Sequence, residues 1–211
     1  MIYCKITLWV QKAANNTHFR VSHQGCKGFE GCPDPGNRKE SDAERIMIMS
    51  HHVLVVCTGN ICRSPMAEAL FRVRFVGPGF SVESAGFAAD EGLPADACAV
   101  QLMAAQGLDI RSHRARQITV RMLERASLIL TMNRVQRRML METWPATHAR
   151  VELLGHWSGT SVTDPFTQGM PAFQTALGII ERGVSEWQHW FCTGRPVKRP
   201  SSIWQRVFNT G

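Results

Sequence analysis

The chain has 211 residues, 44% apolar and 19% charged, with ten Pro and seventeen Gly. That balance fits one medium-sized folded domain with additions and excludes collagenous, low-complexity or wholly disordered chains. The net charge of +7 gathers at one end: residues 49–191 hold 13 Arg against 12 acidic residues, whereas residues 192–211 hold four basic residues and no acid. A basic tail, not a basic domain, raises the pI, so no nucleic-acid partner is expected.

Residues 1–48 carry no sustained apolar period. Their apolar stub, Ile6–Val10, is too short for the core of a signal peptide, and Gly31-Cys32-Pro33-Asp34-Pro35-Gly36 reads as loop. A poorly structured extension is expected there, with translation of the domain starting at Met47 or Met49. The longest apolar runs, such as Val53–Cys57, are about five residues, so an integral membrane protein is not expected. Seven Cys without an export signal read as reduced thiols in a cytoplasmic protein.

From His52 the pattern changes. Val53–Val56 is a β-branched run suited to a strand buried on both faces. Pro65 stands at a favoured first helical position, and Met66, Leu70, Val73 and Val76 follow helical spacing. Phe80–Ser84 reads as a second strand and Ala95–Gln106 as a helix closed by Gly107. Ser127–Thr131 and Val151–Leu154 read as further strands, with a helix over Val135–Thr143 between them. A last helix over Ala172–Phe191 carries the stripe Phe173, Leu177, Ile180, Val184 and Trp187. Four strands alternating with helices predict an α/β fold: a mostly parallel sheet with helices on both faces. The domain is expected over 49–191, followed by a basic flexible tail over 192–211.

The first strand runs into Cys57-Thr58-Gly59-Asn60-Ile61-Cys62-Arg63-Ser64, then Pro65 and a helix. A Cys and an Arg five residues apart are weak evidence alone, since about 0.6 such pairs arise by chance in this composition. A second copy, Cys32 to Arg38, follows no strand, opens no helix, and contains two prolines that remove backbone donors. The copy at Cys57 has the right context. A strand delivers it to the carboxyl edge of a sheet, its amides can converge on an anion, and the following helix adds the positive end of its dipole. A thiolate at Cys57 is favoured among those donors. Arg63 can grip two phosphoryl oxygens with its planar fork. Ser64 can donate to the Cys57 sulfur, and Gly59 permits close backbone approach. Asp164, in the loop after the fourth strand and stiffened by Pro165, is the candidate proton donor and water-activating base. This chemistry calls for no metal and no cofactor, because Arg63 and the amides carry the charge.

These residues resemble the low-molecular-weight protein tyrosine phosphatases over about Met49–Phe191. The resemblance rests on the run from Val55 to Glu68, Ser84-Ala85-Gly86, Ser112 to Gln117, Leu128 to Met132, and Asp164-Pro165. It implies a four-stranded parallel sheet and the roles just given to Cys57, Arg63, Ser64 and Asp164. Thr58, Gly59, Asn60, Ile61 and Cys62 would complete the phosphate loop, with Asn60 held by Ser84 and His113. It further implies that Cys62 can form a reversible disulfide with Cys57. Leu153-Leu154-Gly155-His156-Trp157 resembles bacterial members linked to exopolysaccharide or capsule production, which implies a tyrosine autokinase as the phosphotyrosine substrate. Phe166 stands where many relatives have Tyr, keeping an aromatic substrate wall without the hydroxyl. Asn133 stands where many have Asp or Glu.

Other readings are weaker. An arsenate reductase on this fold would need a cysteine pair seventy to eighty residues beyond the nucleophile, and only Cys98 and Cys192 follow Cys62. Relatives that resemble arginine phosphatases tend to have Thr at Ile61, whose bulk favours a flat phenyl ring. A non-catalytic phosphotyrosine-binding module would be expected to lack Cys57 or Asp164. His18, His23, Cys26 and Cys32 match no standard zinc spacing. His51, His52 and His156 read as surface or packing residues, Trp187 and Trp190 as core and edge of the last helix. Arg111, Arg114 and Arg116 form either a solvated face or a steering patch for acidic peptides.

Overall fold

Alternation along one strand organises two cores. Strand β1, His51–Cys57, sends Val53 and Val55 to one face and Leu54 and Val56 to the other, and all four are fully buried. A strand covered on both sides needs apolar residues at every position, and its run of Val and Leu satisfies that. The computed structural model describes residues 51–75 and 79–193. The extension 1–48, the second Cys-to-Arg copy at Cys32–Arg38, the zinc arrangement of His18, His23, Cys26 and Cys32, Val76 and the tail from 194 lie outside the described residues.

The sheet has four strands in the order β2-β1-β3-β4, all parallel. Besides β1 these are β2 (Phe80–Gly86), β3 (Leu128–Thr131) and β4 (Val151–Leu153). Parallel neighbours require crossovers, supplied by α1 (Arg63–Arg74), α2 (Ala97–Ala105), α3 (Val120–Arg125) and α4 (Arg134–Thr143). A 3₁₀ helix, Pro145–Arg150, enters β4, and α5 (Met170–Thr193) closes the fold.

On one face α1 and α5 pack together over Val53, Val55 and Leu130. Met66, Leu70 and Phe71 meet Phe173, Ile180, Val184 and Trp187 there. The opposite face joins Leu54, Val56 and Ile129 to Leu123 of α3 and Leu140 of α4. The predicted stripe of α5 is buried at all five positions. That of α1 needs correction: Val73 is half exposed, and Phe71, fully buried, takes the core position. The helix starts at Arg63 rather than at Pro65, and its inner face runs through Met66, Ala67, Leu70 and Phe71.

Element ends differ by a residue or two from the expected ones. Asp96 caps α2, its carboxylate accepting from the Cys98 amide at 2.8 Å, so the helix begins at Ala97. Gly107 follows in the left-handed conformation at φ +76°. α5 extends to Thr193, two residues into the segment expected as tail. The α3 helix and the 3₁₀ turn were not anticipated; each is six residues long, too short for a period to show. Among the described residues no helix is long and apolar enough to cross a membrane.

Candidate active site

The loop between β1 and α1 leaves the carboxyl edge of the sheet. Its shape is set by Asn60, a buried residue in the left-handed region at φ +56°. Such a torsion is uncommon outside glycine, and Asn enters it more readily than most residues. Every polar atom of the side chain is used. Nδ2 donates to Ser64 Oγ and to Ser84 Oγ, both at 2.9 Å, and Oδ1 accepts from the Arg116 amide at 2.9 Å. The Asn60 carbonyl accepts from His113 Nε2 at 2.7 Å, which fixes the tautomer with the proton on that nitrogen.

The same bonds orient the hydroxyls. Ser84 accepts from Asn60 and donates to the buried carboxylate of Glu68. Ser64 accepts from Asn60, leaving its own proton for Cys57 Sγ, 2.9 Å away. The thiol sulfur also accepts the Asn60 amide at 3.3 Å. Cys57 therefore sits buried beneath two hydrogen-bond donors. The α1 terminus above it has no side-chain cap and no acid in its first turn, so its free amides and dipole are left for an anion.

Two further strands of chain hold the loop from behind. Phe87 and Ala88 donate their amides to the carbonyls of Cys57 and Thr58, both at 3.0 Å, and the Asp96 amide bonds the Ile61 carbonyl at 2.9 Å. This close passage requires Gly86. A Cβ there would lie 2.5 Å from the Thr58 carbonyl oxygen and 3.1 Å from the Asn60 nitrogen.

Arg63 is buried, with Nη1 donating to the Val162 carbonyl at 3.3 Å. Its Nη2 reaches Thr58 Oγ1 at 3.5 Å and forms an ion pair with the Asp164 carboxylate, which is half exposed. Asp164 is thereby brought 101 residues along the chain to the loop. Its own loop is held by the Phe166 amide, donating to Asp164 Oδ1 at 3.3 Å, and by Gln168 Nε2 on the Asp164 carbonyl. Phe166 stands exposed beside it.

Cys62 is buried and free, like Cys57. Burial, and then the negative charges of Asp96, Cys57 and Asp164, push its thiol far up, so it stays protonated. Burial also holds His113 below the ordinary imidazole value, against the opposing bond to Asn60.

The structure thus brings Cys57, Thr58, Asn60, Arg63, Ser64, Ser84, His113 and Asp164 together. Of the three arginines read as a solvated face or steering patch, Arg111 and Arg114 are exposed and Arg116 partly so, and each also makes a local tie. Arg111 binds Asp109, Arg114 donates to the carbonyls of Arg111 and His113, and Arg116 bonds the Ser84 carbonyl at 3.0 Å. His52 bonds Ser81 and Glu83, His51 packs edge-on against Phe191, and His156 against Trp157. Trp187 is core and Trp190 edge. Asn133 is a helix cap, accepting from the Gln136 amide at 2.8 Å, a task Asp would perform equally well.

Sequence reasoning missed Glu68, Asp96 and Gln136. Glu68 was findable, because it lies one helical turn beyond Ser64 on the same face of α1. Gln136 had no local signal.

A family model described as low molecular weight phosphotyrosine protein phosphatase matches residues 52–197. The chain is 47% identical over 135 residues to a probable low molecular weight protein-tyrosine-phosphatase, EpsP, of Ralstonia solanacearum, covering 64% of this chain and 92% of that one. Among solved structures it resembles Vibrio vulnificus Wzb in complex with benzylphosphonate, at 32% identity and a TM-score of 0.62, over 65% of this chain and 97% of that one. It also resembles the YwlE arginine phosphatase of Geobacillus stearothermophilus, at 31% identity and a TM-score of 0.65, over 68% and 94%.

Proposed function

The chain belongs to the low molecular weight phosphotyrosine protein phosphatases, and from that premise we propose that Cys57, Arg63 and Asp164 hydrolyse phosphotyrosine in proteins through a phosphocysteine. The observation that carries this reading is the surroundings of Cys57: a buried sulfur with Ser64 Oγ at 2.9 Å and the Asn60 amide at 3.3 Å, under an uncapped helix terminus.

In the first step the Cys57 thiolate attacks phosphorus. Arg63 turns from Asp164 to two phosphoryl oxygens, and Asp164, so released and protonated from the solvent its half-exposed carboxylate meets, gives that proton to the departing phenolate oxygen. In the second step water attacks phosphorus, Asp164 takes the proton from that water, and the phosphorus–sulfur bond breaks. Ser64 donates to the thiolate that leaves. Thr58, Gly59, Asn60, Ile61 and Cys62 cradle the phosphoryl group, Ser84 and His113 support the cradle, and Phe166 forms an aromatic wall for the substrate ring. Under oxidation by a peroxide, Cys57 would form a sulfenic acid, and the Cys62 thiol would condense with it, releasing water and closing a disulfide.

The likeness of Leu153–Trp157 to exopolysaccharide-associated members supports a tyrosine autokinase as the substrate, acted on in the cytoplasm. The likeness to YwlE raises phosphoarginine as a second substrate class. The half-buried Ile61 beside Gly59 weighs against it, its side chain narrowing the mouth toward a flat ring.

The test is phosphate release from a phosphotyrosine peptide in EDTA, wild type against Cys57→Ser, with phosphoserine peptide and phosphoarginine alongside. Turnover on phosphotyrosine that vanishes in Cys57→Ser is the expected result. Faster turnover of phosphoarginine would shift the substrate, and no turnover by folded, reduced protein would overturn the reading.

A further inference from the structure

Gln136 lies in the first turn of α4, 5% exposed, and reaches across from β3 to the phosphate loop. Its Oε1 accepts from the Met132 amide at 3.1 Å and its Nε2 donates to Thr58 Oγ1 at 3.1 Å. The amide can point only one way. The Met132 N–H is a donor alone, so the oxygen of Gln136 must face it and the NH₂ must face Thr58. Asn133, by capping the Gln136 amide, fixes the backbone from which this side chain departs.

The consequence falls on Thr58. Its hydroxyl oxygen accepts from Gln136 and, at 3.5 Å, from Arg63 Nη2. Two N–H donors occupy the lone pairs, and the hydroxyl proton has no acceptor among the described residues. Thr58 is exposed and adjoins Cys57, while Gln136 is shielded from water. An oxygen gripped by Arg63 Nη2 arrives beside this proton.

We propose that Gln136 is a positioning residue of the phosphate site, holding the Thr58 hydroxyl so that its proton is offered to a phosphoryl oxygen of the substrate. Without Gln136 the hydroxyl turns freely and spends its proton on water. The inference rests on the phosphatase reading above. A donor to a phosphoryl oxygen acts on bound phosphate in the ground state and the transition state alike, so its loss falls on KM and on inhibition by inorganic phosphate more than on kcat.

The experiment measures phosphotyrosine-peptide kinetics and the inhibition constant of inorganic phosphate for the full chain. The variants are Thr58→Val, Thr58→Ser, Gln136→Met, Gln136→Glu and the double variant Thr58→Val/Gln136→Met. Thr58→Val and Gln136→Met are each expected to weaken phosphate roughly three- to tenfold, the scale of one hydrogen bond. Thr58→Ser recovers most of what Thr58→Val loses. The double variant is no weaker than Thr58→Val, because Gln136 acts through that hydroxyl. Gln136→Glu keeps the shape but accepts the Thr58 proton, and weakens phosphate at least as much as Gln136→Met. Unchanged affinity in Gln136→Met, or additive losses in the double variant, would overturn the proposal. Should Gln136→Met fail to fold, the near-isosteric Gln136→Glu and the Thr58 pair decide it: Thr58→Val equal to Thr58→Ser sinks it. Wild-type turnover that depends on Cys57 with unaffected variants removes this inference alone, whereas an inactive wild type removes the phosphatase reading and this inference with it.

Discussion

A φ of +56° at Asn60 costs an ordinary L-residue roughly 1–2 kcal/mol, and here five hydrogen bonds to Ser64, Ser84, Arg116, His113 and Cys57 oppose that cost. Torsion and bonds can be separated. Asn60→Gly keeps the torsion and loses the side chain, whereas Asn60→Ala loses both. In urea unfolding, both are expected to be less stable than wild type, with Asn60→Ala lower than Asn60→Gly by about 1 kcal/mol. Equal midpoints would show that the torsion is not strained. At Asp164 the expected effect is kinetic. Its carboxylate is half exposed and its contacts are few, so Asp164→Asn leaves the melting temperature within about 2 °C. Because an amide can neither give nor take the proton, kcat on a phosphotyrosine peptide falls roughly 10²- to 10⁴-fold. Cys57, Arg63 and Asp164, which the fold brings to one loop, were legible as candidates because the proposed chemistry restricts them: a nucleophile, a fork and an acid have few alternatives. Gln136 was not, because any buried polar group can play such a part once the fold presents a partner, whereas Glu68 had at least its place one turn beyond Ser64 on α1.

Elements were legible where their burial was periodic. β1 and α5 each show their pattern over the whole length, and both lie within two residues of their expected ends. The expected stripe of α1 holds at Met66 and Leu70 but not at Val73, which continues the apolar spacing yet points to solvent while Phe71 packs inside. The α3 helix hid because Thr119, its cap, precedes only six helical residues. A subtler element-level fact is that β2 and the phosphate loop touch through their backbones, which a sequence shows only as Ser84-Ala85-Gly86. Gly86→Ala tests that contact. The new methyl would meet the Thr58 carbonyl at 2.5 Å, and backbone cannot swing aside as a side chain can. Either the loop or the end of β2 must shift, at a cost of about 1–3 kcal/mol. The expected outcome is a lower urea midpoint together with at least a tenfold loss in kcat/KM. Lost stability with full kcat/KM would mean that β2 yields and the loop does not.

For the whole molecule, the sheet and its two cores followed from alternating strands and helices, while the pairing order β2-β1-β3-β4 depends on crossovers that no local pattern encodes. What couples this fold to its site is a set of polar groups behind the loop, and one of them, the half-buried His113, is expected to make stability depend on pH. His113 is held below the ordinary imidazole value by burial, while its Nε2–H bonds the Asn60 carbonyl. The unfolded chain therefore takes up this proton first as pH falls. Stability from the neutral ring is fully present above about pH 6.5 and is lost as pH falls toward the lower folded-state value, at no more than about 1.4 kcal/mol per pH unit for one proton. His113→Gln offers an N–H to the same carbonyl but does not titrate. Urea midpoints at pH 7.5 and 5.5 should therefore fall further for wild type than for His113→Gln, with the other histidines cancelling in the comparison. If the two proteins lose stability in parallel, the ring at His113 titrates alike folded and unfolded, and the acid sensitivity of the fold must arise at another group.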